Sequence, residues 1–268
     1  MANCLVRNFP GRSDYLFLGI PKSLSAPFLL CGLLLGILLA PQIVLAESPG
    51  WRRTKNTADD IIYAGKDRSF YCGCVYTSDG DDDGSGSVNH EDCGYVPPQT
   101  HKARAERVEW EHIVPASLMP ARQFDCWIFG NREKCEREDP RAQAMIFDLH
   151  NLAPAIGQVN ALRGNDRYAE LPEVSSNFGA CPAKDVQNAF EPPDCLKGDV
   201  ARVWLYMNLR HGVVISLPER EMFERWSEAD PVSSWESERE QRIFNYTFIQ
   251  NPFVHGVTPN PSGACPWE

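Results

Sequence analysis

Hydrophobic and polar positions along the chain change period from segment to segment, and each period predicts an element. Ala58, Ile61 and Ile62 ahead of Gly65 fit a short helix over residues 56–66 that ends at the glycine. Residues 69–76 are aromatic and β-branched enough for a strand or a disulfide-pinned extension, and a polar, glycine-rich loop follows over residues 77–92. Residues 107–114 read as a strand that Pro115 stops, residues 124–131 as an excursion closed by cysteines, and residues 141–147 as a short helix. Residues 148–153 read as extended, and Pro154 predicts the first turn of a helix that carries Ile156, Val159 and Leu162 toward Gly164. Strand, excursion, strand, helix is the central order.

Beyond it, residues 175–194 read as a proline-containing loop. Val200, Val203, Trp204, Met207 and Leu209 recur at helical spacing over residues 199–211, as do Met222, Phe223 and Trp226 over residues 217–229. These are core-facing helices. A last helix over residues 234–246 precedes Asn251-Pro-Phe-Val254 and a proline-rich tail, and no internal repeat is present.

The N-terminal segment has the pattern of an address. Arg7, Arg12 and Lys22 precede an apolar run over residues 28–39, and Val44-Leu45-Ala46 offers a small-residue cleavage site. Residues 1–46 are therefore read as a signal peptide and residues 47–268 as one domain. A retained membrane anchor is the rival reading, since residues 26–46 match the ~20 residues a span needs.

Cysteine usage agrees with export. Ten are present, Cys4 and Cys31 in the leader and an even eight beyond it, the usual mark of disulfides. Spacing alone points to the short loops Cys126–Cys135 and Cys181–Cys195. Thiolate zinc would want repeated Cys-x-x-Cys pairs, and only Cys72-Gly-Cys74 is found.

Charge argues against simple attraction to nucleic acid. The leader carries three of the 26 Lys and Arg and one of the 36 Asp and Glu, which leaves a net charge of −12 on the remainder. Any chemistry on a phosphodiester then needs a locally basic site and a metal ion. Part of the acidity is set apart in the insertion over residues 77–92, where Asp79-x-Asp81-x-Asp83-Gly84 has the spacing of a calcium loop but His90 stands where the bidentate Glu is expected.

The residues richest in chemistry are Glu109-Trp-Glu-His-Ile-Val-Pro-Ala116 and the run from Asp148 to Asn165. Phosphodiester hydrolysis requires a base for water, a divalent cation and a positive group for the developing charge. His112 suits the first task. Glu111 and Asn160 offer hard oxygens to a Mg²⁺-type ion, and Arg163, three residues after Asn160 on a helix, shares its face and could reach the same phosphate. Adjacent strand residues point to opposite faces, so Glu111 and His112 can share a site only if the strand bends or ends there.

These segments resemble the bacterial endonuclease I family of periplasmic and extracellular nucleases, related in site design to the HNH nucleases. The resemblance rests on Trp110-Glu-His-Ile-Val-Pro-Ala116, on Cys126-Trp-x-x-x-x-Arg132-x-x-Cys135 and on Asp148-Leu-His-Asn-Leu-x-Pro-Ala-Ile-Gly-x-Val-Asn160, with Phe70-Tyr-Cys-Gly-Cys74 and Asn251-Pro-Phe253 extending it. It implies an α+β fold, a ββα-metal (His-Me finger) core embedded in a mostly helical single domain stapled by disulfides. It further implies His112 as general base, Glu111 and Asn160 as ligands of one Mg²⁺ (or Mn²⁺ or Ca²⁺), Arg132 on the phosphate and Asn151 as support for the site loop. The activity implied is that of a secreted or periplasmic monomer, free of the membrane after leader removal, that cuts DNA and RNA with little sequence preference and leaves 5′-phosphate ends. The acidic insertion is longer than the family pattern and residues 247–250 depart from it. A second Ca²⁺ at Asp79, Asp81 and Asp83 is a further expectation, and two other readings stay open: an exported, non-catalytic calcium-binding protein that uses that loop as its ion site, and a zinc hydrolase using His112 and His150.

Overall fold

A computed structural model describes residues 49–80 and 84–268. The leader, read as a signal peptide or an anchor, and Asp81 and Asp83 of the calcium-loop reading lie outside the described residues. Helix α1 (Pro49–Thr57) continues into a π-helical turn over Ala58–Ile62, so the amphipathic segment starts earlier than the glycine-terminated pattern implies. The polar insertion folds back on itself: β1 (Tyr76–Ser78) and β2 (Gly86–Val88) pair antiparallel within what reads as loop. Only the last residue of the aromatic 69–76 segment enters a strand.

Next comes β3 (Arg107–His112), then the short helices α2 (Asp125–Ile128), α3 (Arg132–Glu138) and α4 (Pro140–Ile146). Strand β4 (Leu152–Ile156) returns along β3, with Glu111 opposite Ala153 and His112 opposite Leu152, and α5 (Gly157–Arg163) follows at once. Pro154 thus lies in a strand and does not open the helix. The sheet order β1-β2-β3-β4 makes β4 an edge, where the missing N–H of proline costs no ladder bond, and the Pro154 carbonyl accepts from the Phe70 N–H at 2.7 Å.

The segment read as loop over 175–194 holds two strands. With β5 (Arg167–Tyr168), β6 (Lys184–Val186) and β7 (Ala189–Glu191) form a second sheet in the order β5-β7-β6. Three helices close the chain: α6 (Lys197–His211), α7 (Leu217–Ala229) and α8 (Ser234–Thr247). Their starts follow the sequence, because Ser216 and Glu219 form a reciprocal capping box for α7 and Ser233 caps α8. Val200, Val203, Trp204 and Met207 are buried as their spacing predicts, but Leu209 is 65% exposed, two residues past Met207 and so on the far side of the helix. Arg202 of α6 forks onto Glu236 of α8 at 2.6 Å from both nitrogens, a buried pair that ties the two helices.

The eight cysteines beyond the leader form Cys72–Cys181, Cys74–Cys93, Cys126–Cys135 and Cys195–Cys265. The Cys126–Cys135 loop is as read from spacing, whereas Cys181 and Cys195 do not pair. The β6–β7 hairpin stands between them, and each meets a segment that arrives from far along the chain. No helix among the described residues is long and apolar enough to cross a membrane.

Candidate active site

Strand β3 ends at His112, and this ending lets neighbours of opposite strand parity face one space. Asn151 accepts from the Val114 N–H at 2.7 Å and donates to the Val114 carbonyl at 3.0 Å, while its own carbonyl accepts from the Ile113 N–H. Arg163, at the end of α5, donates to the carbonyls of His112 at 2.8 Å and Ile113 at 2.5 Å. Clamped from both sides, the chain leaves the ladder, and Glu111 and His112 both line a cleft of about 700 Å³ with Asn160, Arg132, Arg163 and Trp51.

Each of these side chains has a defined orientation. The carbonyl of Ile146 can only accept, so His112 Nε2, 2.8 Å away, carries the imidazole proton and Nδ1 keeps its lone pair. Trp51 of α1 stacks on the ring at 5.0 Å. Burial first, and then the positive charge of Arg132, pushes His112 down to about 3, so the ring is neutral at physiological pH.

Glu111 is buried, and its Oε1 accepts from the Tyr71 hydroxyl at 2.9 Å and lies 3.1 Å from Arg163. Burial raises its pKa, with Arg163 opposing. Its Oε2 takes no hydrogen bond from the described residues. Asn160 donates through Nδ2 to Glu109 Oε2 at 3.0 Å, which leaves its Oδ1 as the outward group. Two oxygens, one anionic and one neutral, are a hard donor pair that suits a Mg²⁺-type ion, which keeps most of its waters. A cation there would also favour the ionised form that burial opposes in Glu111. The set therefore fits the metal read from sequence, and no group of three His, Cys, Asp or Glu among the described residues offers an alternative.

Arg132 opens α3 and is about one-third exposed, with Nε 2.9 Å from the buried Glu136. Arg163 is placed differently. It is buried, its guanidinium is engaged by two carbonyls and Glu111, and it lies over the Tyr168 ring at 4.9 Å. His150 faces away from the cleft, with Nε2 3.2 Å from the Ile249 carbonyl and Nδ1 3.2 Å from Glu240. Asp79 accepts from the Ser85 hydroxyl at 3.1 Å.

Glu109 escapes sequence reading as a site residue. It stands two residues before Glu111, hence on the same strand face, and that parity was the available signal. Burial pulls its pKa up, but hydrogen bonds from Arg104 and Arg107 outweigh this and hold it below the usual carboxylate range. Arg104 Nε and Arg107 Nε lie 2.9 and 2.7 Å from Oε1. Gly157 makes room: a Cβ there would stand 2.6 Å from Glu109 Oε1. Nothing in the local pattern marks Arg104 or Arg107, which reach the cleft from the turn before β3 and from its first residue.

Residues 52–257 match the sequence profile of the Endonuclease I family. The chain is similar to Endonuclease-1 of Buchnera aphidicola subsp. Acyrthosiphon pisum, 40% identical over 70% of this chain and 73% of that protein. It is also similar to two proteins of Aeromonas hydrophila. An extracellular deoxyribonuclease is 36% identical over 72% of this chain and 84% of its own length, and a periplasmic deoxyribonuclease is 33% identical over 87% and 96%.

Proposed function

Because this chain belongs to the endonuclease I family, we propose that it is an exported, metal-dependent endonuclease that hydrolyses phosphodiester bonds with His112 as general base. One observation carries the reading: a neutral imidazole whose lone pair is on Nδ1 shares a cleft with the uncommitted oxygens of Glu111 and Asn160.

In this mechanism His112 Nδ1 takes a proton from water, and the Ile146 carbonyl holds the ring through the change of charge. Glu111 and Asn160 hold one divalent cation of the Mg²⁺, Mn²⁺ or Ca²⁺ kind. When bound, that ion supplies Lewis-acid stabilisation of the phosphate and of the departing 3′-oxygen. Arg132 neutralises charge that develops on the phosphoryl oxygens, and departure of the 3′-oxygen leaves a 5′-phosphate. Arg163 cannot give the phosphate the donors it spends on the β3 carbonyls, so it acts as a brace, as does Asn151. Glu109 positions Asn160 by accepting its NH₂ group. The β3–β4–α5 unit is read as the ββα-metal core.

The groups addressed are phosphate and water, which DNA and RNA share, so both are substrates of this reading. Residues 1–46 serve as the signal peptide of a monomeric enzyme spanning residues 47–268, in keeping with its disulfides and with its extracellular and periplasmic relatives. Supercoiled plasmid incubated with the protein in Mg²⁺ tests the function. Conversion to nicked and linear forms, abolished by EDTA and restored by excess Mg²⁺, is expected; intact plasmid would refute it, and cutting that persists in EDTA would refute the metal.

A further inference from the structure

The cleft accounts for one phosphate and one water, yet a nuclease must also hold the bases on either side. Beside the cleft, the excursion closed by Cys126–Cys135 carries Ile128 and Phe129, 56% and 76% exposed. The residues that bracket this tip, Trp127 and Arg132, both line the cleft that holds His112. The apolar tip and the hydrolytic site are therefore two sides of one rim.

The tip is built to be stiff. The disulfide closes a loop of nine residues' separation, and Asn131 caps α3 by accepting from the Lys134 N–H at 2.8 Å. Gly130 lets the Cys126 carbonyl and the Lys134 side chain approach where a Cβ would stand 2.6 Å from each. Arg122 lies over the Trp127 ring at 5.7 Å, so a cation flanks the aromatic platform. An exposed aromatic on a constrained backbone turn, next to a cation-flanked ring such as Trp127, is a means by which proteins stack bases and track a phosphate backbone.

We propose that Ile128 and Phe129 form a wedge that stacks on or between bases of the strand whose phosphate lies in the cleft. The ligand is the nucleobase, and contact with a face common to all bases matches cleavage with little sequence preference. This inference rests on the nuclease reading above.

Phe129→Ala removes an exposed ring and leaves the fold in place, as thermal unfolding would verify. Two readouts follow: kcat and KM on DNA, and fluorescence of 2-aminopurine in a duplex oligonucleotide bound with Mg²⁺ by protein carrying His112→Ala. The expected result is a KM about 5- to 150-fold higher with kcat largely kept, the range for losing one stacked base. Loss of the 2-aminopurine signal change, recovery of both by Phe129→Trp, and no effect of Leu209→Ala on α6 complete the expectation. A KM within twofold of wild type, failure of Phe129→Trp to restore it, or a concentration-dependent dimer lost in Phe129→Ala with DNA binding unchanged would overturn the wedge. Failure of the nuclease reading looks different: the wild-type protein itself leaves DNA intact in Mg²⁺, and the wedge falls with it.

Discussion

The Nε2–H of His112 donates to the Ile146 carbonyl at 2.8 Å, and the Nδ2–H of Asn160 donates to Glu109 at 3.0 Å, so these two contacts fix which atoms of His112 and Asn160 stay without a partner among the described residues. Reversing either contact would present a donor where a lone pair is needed. Glu109→Gln leaves Arg104 and Arg107 without their counter-ion and offers Asn160 an acceptor that can turn into a donor. The Mg²⁺ concentration for half-maximal activity should rise about 10- to 100-fold, and the Mg²⁺-induced increase in unfolding temperature should shrink. An unchanged Mg²⁺ dependence on both measures would remove Glu109 from the site. His112, Glu111 and Asn160 were legible in the sequence as candidates, because the motif holds a base and two hard oxygens in order, and all three line one cleft. Glu109 was not, because its task is to orient an amide across two elements, and nothing in residue type announces that.

Strand β3 has to stop after His112, and the stop is enforced by Arg163 from α5 and by Asn151 from the turn before β4. Arg163→Met keeps bulk while leaving Glu111 buried without its cation and two carbonyls without donors. A loss of about 3–5 kcal/mol in urea unfolding is expected, the scale for breaking a buried pair. A loss below about 1 kcal/mol, with activity still abolished, would make Arg163 a phosphate contact after all. The need for a bend was legible from strand parity, but its agent was not, since helix spacing equally places Arg163 toward substrate. Pro154 misled for a related reason: it is favoured at a helix start and tolerated in an edge strand, and only pairing with β3 decides. In the second sheet, burial and the neighbouring Asp166 push Asp185 up to about 6. The folded chain then keeps a proton that the unfolded chain releases near 3.8, so stability falls as pH rises from about 4 to about 6 and stays lowered above. Asp185→Asn should therefore unfold at a higher temperature than wild type at pH 7, with the advantage vanishing near pH 4. A constant difference across that range would contradict it.

Across the whole molecule the disulfides tie distant stretches of chain together, and Cys72–Cys181 alone closes a separation of 109 residues. Loops of that length are worth about 4–5 kcal/mol in the chain-entropy view. Thiol reduction should therefore lower the unfolding temperature and abolish activity together, and an active, reduced protein would refute the dependence. That cysteines pair was legible from their even number, and Cys126–Cys135 from its spacing; the long-range pairs were not, because Cys72 and Cys195 meet partners that only the finished fold delivers. The acidic composition posed a difficulty that the cleft answers locally, with Arg104, Arg107, Arg132 and Arg163 gathered at its walls. The most direct measurement is plasmid cleavage in Mg²⁺ by His112→Ala whose circular dichroism and Mg²⁺-induced stabilisation match wild type. The expected rate is lower by about 10²- to 10⁴-fold, the contribution of a general base. A folded, metal-binding His112→Ala protein that cuts at the wild-type rate would contradict the central role given to this imidazole.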